Sequence, residues 1–139
     1  KIVFAHGFFA SALHEISHWC MAGQKRRLLN DFGYWYAPDG RNQQQQQQFE
    51  QVEILPQAIE CLLTLACNKP FSVSKDNLFA DFDTSQSTFE ADVQAQAVKF
   101  WQTGQKLSTD AKFLLSQLTK LRPLPLASFD IFHNFIKVN

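Results

Sequence analysis

Two histidines separated by one helical turn are the residues of this sequence best suited to carry chemistry. His14 and His18 are four positions apart, and Glu15 directly follows the first of them. On an α-helix, positions i and i+4 lie on the same face, so both imidazoles can point at a single cation. The carboxylate between them projects to one side, where it can contact a metal-bound water without being a ligand. The spacing therefore predicts a metal site built on one helical turn.

The residues around this pair favour the helix that the site requires. A run of apolar and small residues leads into the pair from Phe9, and Gly23 follows Ala22 as a natural helix stop. We therefore expect a first helix from about Phe9 to Ala22. The alternative is a buried helix that carries two histidines and binds no metal.

A third ligand is expected from another element, because two histidines alone hold a metal weakly. The cysteines, Cys20, Cys61 and Cys67, are not spaced as they are in structural zinc sites. A carboxylate is the better candidate, and it leaves coordination positions open for water and substrate. The choices are the carboxylates that follow the glutamine run: Glu50, Glu53 and Glu60.

Glu53 is the preferred third ligand because of its apolar neighbours. Val52, Ile54 and Leu55 surround it in sequence, so its carboxylate is expected to be buried. A buried carboxylate needs a compensating charge, which a metal ion would supply. Glu50 lies one helical turn earlier. It could be the ligand instead, or it could be an outer partner that supports Glu53 without binding the metal. Without a metal, Glu53 would be an ordinary solvated side chain at a helix end.

Three further side chains are candidates for the surroundings of the site. His6 lies after an apparent strand and close in sequence to the histidine helix. It could hydrogen-bond to a ligand or contact the substrate. Tyr34 and Tyr36 could line the approach to the metal, although aromatic side chains at this spacing are more often part of a core.

A site of two histidines and one carboxylate supports two kinds of chemistry. With zinc it activates water for amide hydrolysis, and Glu15 is then the general base. With Fe(II) it is the facial triad of oxygenases. The helical spacing of the histidines is typical of metallopeptidases, so the residues by themselves favour a zinc hydrolase. A binding module without catalytic activity is the third hypothesis.

Composition sets the class of protein. With 139 residues, 45% of them hydrophobic and 14 of them Phe, the chain is expected to form one domain, residues 1–139, around a large apolar core. Thirteen basic residues balance thirteen acidic ones, so neither a nucleic acid nor a membrane partner is indicated. Scattered cysteines indicate reduced thiols and a cytoplasmic protein. Because the sequence starts without Met, we expect an N-terminal segment to be missing.

The pattern of apolar residues predicts an α+β fold, mainly helical with a small β-sheet. Strands are expected at residues 2–5 and 34–36, and the glutamine run, residues 43–48, is expected to form a solvated helix face. Three more helices are expected, and each has its own start signal. They run from Pro56 to about Cys67, from the capping box at residues 87–90 to Thr103, and from Ser108 to about Leu121.

Several segments together resemble the bacterial elongation factor P hydroxylase family. The resemblance extends from Lys1 to about Phe82 and is far more specific than the histidine pair alone. The segments that carry it are Ile2–Phe8, Ala10–Cys20, Asp31–Tyr36, Pro38–Arg41, Phe49–Glu50, Val52–Glu53, Pro56–Ala58 and Asp76–Leu78.

The resemblance implies an enzyme that hydroxylates the β-lysylated lysine of translation elongation factor P. It implies a mononuclear metal, Fe(II) acting with dioxygen and with zinc as the alternative, on a zincin-type fold nearer to metallopeptidases than to β-helix oxygenases. His14 and His18 match the paired histidines of the family, and the carboxylate falls in residues 49–53, where Glu53 is preferred. Glu15 would then handle protons, or contact a ligand without binding the metal, rather than act as a peptidase base. Elongation factor P is the implied partner, and the oligomeric state stays open.

Overall fold

The computed structural model describes residues 1–33, 40–75, 82 and 87–121. Within these ranges the chain forms a helical fold in which one long central helix contacts the three others. A short 3₁₀ turn, Asn30–Gly33, follows the first helix. The helices are α1 (Phe9–Arg26), α2 (Gln43–Ala66), α3 (Phe89–Thr103) and α4 (Thr109–Leu121).

The predicted small β-sheet, and with it the α+β class, is wrong: the described residues contain no strand. At the predicted strand 2–5, the backbone N–H of Ala5 donates to Ser11 Oγ at 3.0 Å rather than to a neighbouring strand. Val3 and Phe4 are 70% and 44% exposed, and none of the described residues forms a strand beside them. A short apolar run does not by itself distinguish a strand from the lead into a helix. The other predicted strand, 34–36, lies outside the described residues.

The first helix begins at Phe9, as predicted, and changes direction at the predicted stop. Gly23 has φ 69°, a left-handed conformation that glycine adopts without strain, and one further helical turn reaches Arg26. The next residue, Arg27, connects this end of α1 to α4. Its guanidinium lies 3.5 Å from the centre of the Trp19 ring and forms an ion pair with Asp110 of α4.

The second helix is one continuous element of 24 residues, so the predicted helix start at Pro56 is wrong. Helix α2 begins instead at a capping box between Asn42 and Gln45. Pro56 lies in the interior, where a proline costs about 3 kcal/mol or more. Every residue from Pro56 to Ala66 is buried, and this packing keeps the helix continuous through the proline. The glutamine run forms the exposed first turns, as predicted, except for the buried Gln46.

The last two described helices have the predicted bounds. Gly104 closes α3 with φ 63°, and Ser108 Oγ accepts a hydrogen bond from the N–H of Ala111 at the start of α4. The predicted capping box at the start of α3 does not form. Thr88 Oγ1 instead donates to Asp92 at 2.8 Å.

The apolar core lies where the other helices meet α2, and its thiols are reduced. Cys20 and Cys61 are buried thiols that form no disulfide, as predicted, and the partly buried Cys67 at the edge of the core forms none either. Burial raises the pKa of Cys61 to about 12 and that of Cys20 to about 11, so these sulfurs stay protonated and inert. In the described part of the chain, no helix combines the length and hydropathy that crossing a membrane requires.

Candidate metal centre

The packing of α1 against α2 brings the three predicted ligands together. His14 and His18 lie one turn apart on α1, and Glu53 lies near the middle of α2. Glu53 is fully buried, His18 is 5% exposed, and the side chain of His14 is 19% exposed. One donor atom from each residue lies within 4.8 Å of the other two, so the group could hold a metal ion.

The distances within this group suit a single cation. His18 Nε2 lies 3.1 Å from Glu53 Oε1 and 3.2 Å from His14 Nε2, and His14 Nε2 lies 3.8 Å from Glu53 Oε2. Metal–ligand bonds of about 2.1 Å put adjacent donor atoms about 3.0–3.4 Å apart at octahedral or tetrahedral angles. The two separations from His18 Nε2, 3.1 and 3.2 Å, lie in this range, and the 3.8 Å between His14 Nε2 and Glu53 Oε2 is longer.

An unsatisfied buried oxygen shows that the group fits a metal. Glu53 Oε1 is buried and accepts no well-aligned hydrogen bond from any described residue. A carboxylate oxygen removed from water in this way destabilises the fold unless a positive charge lies next to it. The atom facing it is the ring nitrogen Nε2 of His18, at 3.1 Å. Two such acceptors can face each other only with a proton or a cation between them, and a divalent metal satisfies both.

Glu60, considered above as a third ligand, lies behind His14 instead. Its Oε2 atom is 2.9 Å from His14 Nδ1, on the opposite side of the ring from the metal group. This carboxylate accepts the Nδ1–H hydrogen bond, so it selects the tautomer that presents the Nε2 lone pair to a metal. Glu60 is therefore a hydrogen-bond partner of the candidate ligand His14 and not a member of the converging group.

The charges of the group hold a proton when no metal is bound. Burial opposes protonation of His14, but the hydrogen bond to Glu60 and the charges of Glu60, Glu53 and Glu15 raise its pKa to about 9. Burial acts to raise the pKa of Glu53, and the nearby His18 and His14 outweigh it and lower the pKa. Burial raises the pKa of Glu60. A metal ion entering the site would displace the proton on His14.

Gln57 holds the other oxygen of Glu53, and sequence analysis missed it. Its Nε2 lies 3.2 Å from Glu53 Oε2, and the same amide forms two hydrogen bonds with the backbone of Ser74. Gln57 is also fully buried. The spacing of four residues from Glu53 on a helix was the available signal, since it places the two side chains on one face.

Phe32 is the second side chain that the sequence did not single out. Its ring is nearly parallel to that of His18, at 8° with 6.5 Å between centroids. Asp31 and Phe32 have φ of 47° and 55°, an uncommon conformation for residues other than glycine. Arg26 holds the turn by donating from Nε to the carbonyl of Phe32 at 2.9 Å. The strained turn thus places the aromatic ring of Phe32 beside that of His18.

The remaining predicted residues have different places. Glu15 is half-buried beside His14, and its charge contributes to the raised pKa of that histidine. His6 is exposed, and its described ring contact is with Phe8 rather than with the metal group. Tyr34 and Tyr36 lie outside the described residues.

Glu50, the alternative third ligand, is engaged in a separate contact. Its carboxylate accepts hydrogen bonds from Ser87 Oγ at 2.8 Å and from Gln46 Nε2 at 3.3 Å. It is not part of the group of three whose donor atoms converge. Glu50 therefore connects α2 to the residues before α3.

Comparison with known proteins gives two matches that extend over most of the chain. A family model described as elongation factor P hydroxylase matches residues 1–126. A protein of Haemophilus influenzae named elongation factor P lysine hydroxylase is 42% identical over 132 residues, which cover 94% of this chain and 74% of the relative. The range matched by the family model includes His14, His18 and Glu53.

Proposed function

This chain belongs to the elongation factor P hydroxylase family, and on that premise we propose that it hydroxylates a lysine of elongation factor P at the metal group described above. The observation that carries the site is the convergence of His14, His18 and Glu53, with Glu53 Oε1 buried and unsatisfied. The family match supports the reaction and the substrate. The chemistry of the donor set supports the metal.

We propose a single Fe(II) that works with dioxygen and an external two-electron donor, so that one oxygen atom enters the lysine side chain and the other is reduced to water. Two histidines and one carboxylate leave coordination positions open, and Fe(II) in such a site supplies the oxygen activation that hydroxylation needs. Zinc would fit the same donors, because imidazole and carboxylate bind both metals. Membership in a hydroxylase family argues for iron rather than zinc, because hydroxylation is a redox reaction and zinc has no redox chemistry.

The residues of the chain hold the site in one arrangement. Glu60 keeps His14 in the tautomer with Nε2 towards the metal, and Phe32 covers His18 with an apolar ring. Glu15, half-buried next to His14, is proposed to accept or donate protons at the open side of the site.

The finer substrate assignment is the β-lysylated lysine of elongation factor P, as the family resemblance implies. We propose a cytoplasmic enzyme in which the chain acts as one catalytic domain. Protein substrates reach such a site by presenting a long, flexible side chain to the metal. The partly exposed His14 lies on the side from which that side chain could approach.

The mass of elongation factor P tests the proposed reaction. In cells that lack this protein, we expect elongation factor P to be lighter by one oxygen atom at its modified lysine. Expression of the wild-type protein in these cells should restore the heavier form of elongation factor P, because the proposed metal site is then available for the reaction. Intact-protein and peptide mass spectrometry measures the difference.

The matched control is the His18→Ala variant, which removes one donor atom and should fail to restore the heavier species. If elongation factor P has the same mass with and without the protein, the proposed reaction is wrong. If His18→Ala restores the mass as well as the wild type does, the proposed site is wrong.

A further inference from the structure

We infer that Gln57 is a positioning residue that fixes the carboxylate of Glu53 so that the metal is bound through Oε1 alone. The inference rests on the proposed metal site, since it concerns how one of its ligands is held. It starts from the different surroundings of the two oxygens of Glu53. One accepts a hydrogen bond from Gln57, and the other accepts none that is well aligned.

The Gln57 amide is itself held at both ends. Its Nε2 donates to the carbonyl of Ser74 at 2.7 Å, and its Oε1 accepts from the N–H of Ser74 at 2.9 Å. This two-point contact with the backbone fixes which end of the amide faces Glu53. The second hydrogen of Nε2 then points at Glu53 Oε2, 3.2 Å away. The donor is therefore prearranged and cannot rotate away without breaking two other hydrogen bonds.

As a consequence, the two oxygens of Glu53 make different contacts: Oε2 faces Gln57, and Oε1 faces His18. Oε2 accepts the hydrogen bond of the amide and lies 3.8 Å from His14 Nε2, and this hydrogen bond opposes a rotation of the carboxylate that would chelate the metal through both atoms. Oε1 lies 3.1 Å from His18 Nε2, at the separation expected of two ligands of one metal. Binding through one oxygen keeps a coordination position open that a chelating carboxylate would occupy. Outer partners of this kind typically contribute 10–100-fold to metal affinity.

Gln46 provides a natural comparison on the same helix. It is buried, donates to the carbonyl of Lys75 at 3.1 Å, and donates to the carboxylate of Glu50 at 3.3 Å. Both glutamines therefore connect α2 to the segment 74–75 and to a glutamate one turn away. Only Gln57 contacts a proposed ligand. Loss of Gln46 should loosen the same segment and leave Glu53 in place.

The test measures Co²⁺ binding to the wild-type protein and to Gln57→Leu and Gln46→Leu. Leucine keeps much of the volume of the side chain and removes the amide. In competition with a chromophoric chelator, we expect Gln57→Leu to bind Co²⁺ roughly 10–100-fold more weakly than the wild type. We expect Gln46→Leu to bind Co²⁺ nearly as tightly as the wild type, because Gln46 contacts Glu50 rather than a proposed ligand. The visible spectrum of bound Co²⁺ should change in Gln57→Leu alone.

Thermal unfolding of the metal-free proteins separates positioning from general damage. Both variants are expected to lose stability to a similar extent, since each removes buried hydrogen bonds. If Gln57→Leu does not fold, Gln57→Met gives the same comparison with an unbranched side chain.

The outcomes distinguish the inference from the proposal on which it rests. Weaker binding and an altered spectrum in the Gln57 variant alone support the positioning role. Equal Co²⁺ affinity in the two variants, or an unchanged spectrum in the Gln57 variant, overturns the inference and leaves the metal site standing. If the wild-type protein binds no Co²⁺, the metal site itself is contradicted.

Discussion

Glu53→Gln is expected to eliminate tight metal binding and hydroxylation of elongation factor P while the helices remain folded. The amide has the shape of the carboxylate but lacks the negative charge that a divalent cation requires. Loss of a ligand should weaken affinity by more than the roughly 10–100-fold that outer partners contribute. Metal analysis of the purified variant and anaerobic titration with Fe²⁺ measure the effect, and far-ultraviolet circular dichroism checks the fold.

Glu50→Gln is the matched control for this variant. It changes a carboxylate on the same helix, one turn away, that is bound by Ser87 and Gln46 rather than by the histidines. We expect this protein to keep its metal and its activity. The assignment of the third ligand would be contradicted if Glu50→Gln lost the metal and Glu53→Gln retained it.

Phe100→Ala is expected to destabilise the protein by about 3–5 kcal/mol, the cost of truncating a fully buried phenylalanine. Phe100 is 1% exposed near the end of α3, within the core cluster formed against α2. Its removal leaves a cavity that the surrounding helices fill only in part. Urea denaturation followed by circular dichroism gives the free energy of unfolding of the variant and of the wild type.

The control for this truncation is Phe113→Ala on α4. Phe113 is 61% exposed, so the same chemical change should alter the free energy of unfolding by about 0.5 kcal/mol or less. Equal losses in the two variants would show that the core is not centred on the packing of α3 against α2. Both substitutions leave the proposed ligands His14, His18 and Glu53 unchanged.

The sequence predicted most of the helices and the convergence of the histidines with Glu53. A spacing of four residues is a direct consequence of helical geometry, so His14 and His18 could be paired without knowledge of the tertiary structure. Glu53 was preferred for its apolar neighbours, and it is indeed fully buried. The assignment of these residues as ligands stays a prediction until a metal is observed.

The errors in the fold arose where tertiary packing overrides a local pattern. Pro56 gives a strong local start signal, yet the burial of every residue from 56 to 66 keeps α2 continuous through it. The apolar residues 2–5 match a strand equally well, but their backbone leads into α1 through a hydrogen bond to Ser11. Neither competing interaction is visible in a short window of sequence.

The partners of the ligands depend on contacts between distant segments. Glu60 meets His14 across 46 positions, and Gln57 reaches Ser74 across 17. Phe32 reaches His18 through a turn with two left-handed residues that no sequence rule predicts for Asp31 and Phe32. These contacts complete the site, and they require the packing of α1 on α2 to be known.

A crystal structure of the anaerobic, iron-supplied protein tests the metal site most directly. We expect one metal ion at about 2.0–2.2 Å from the nearest atoms of His14, His18 and Glu53, with the histidines bound through Nε2 and Glu53 through Oε1. Anomalous scattering at the iron edge identifies the ion. A metal held by Glu50 in place of Glu53, or an iron peak away from the two histidines, would contradict the site.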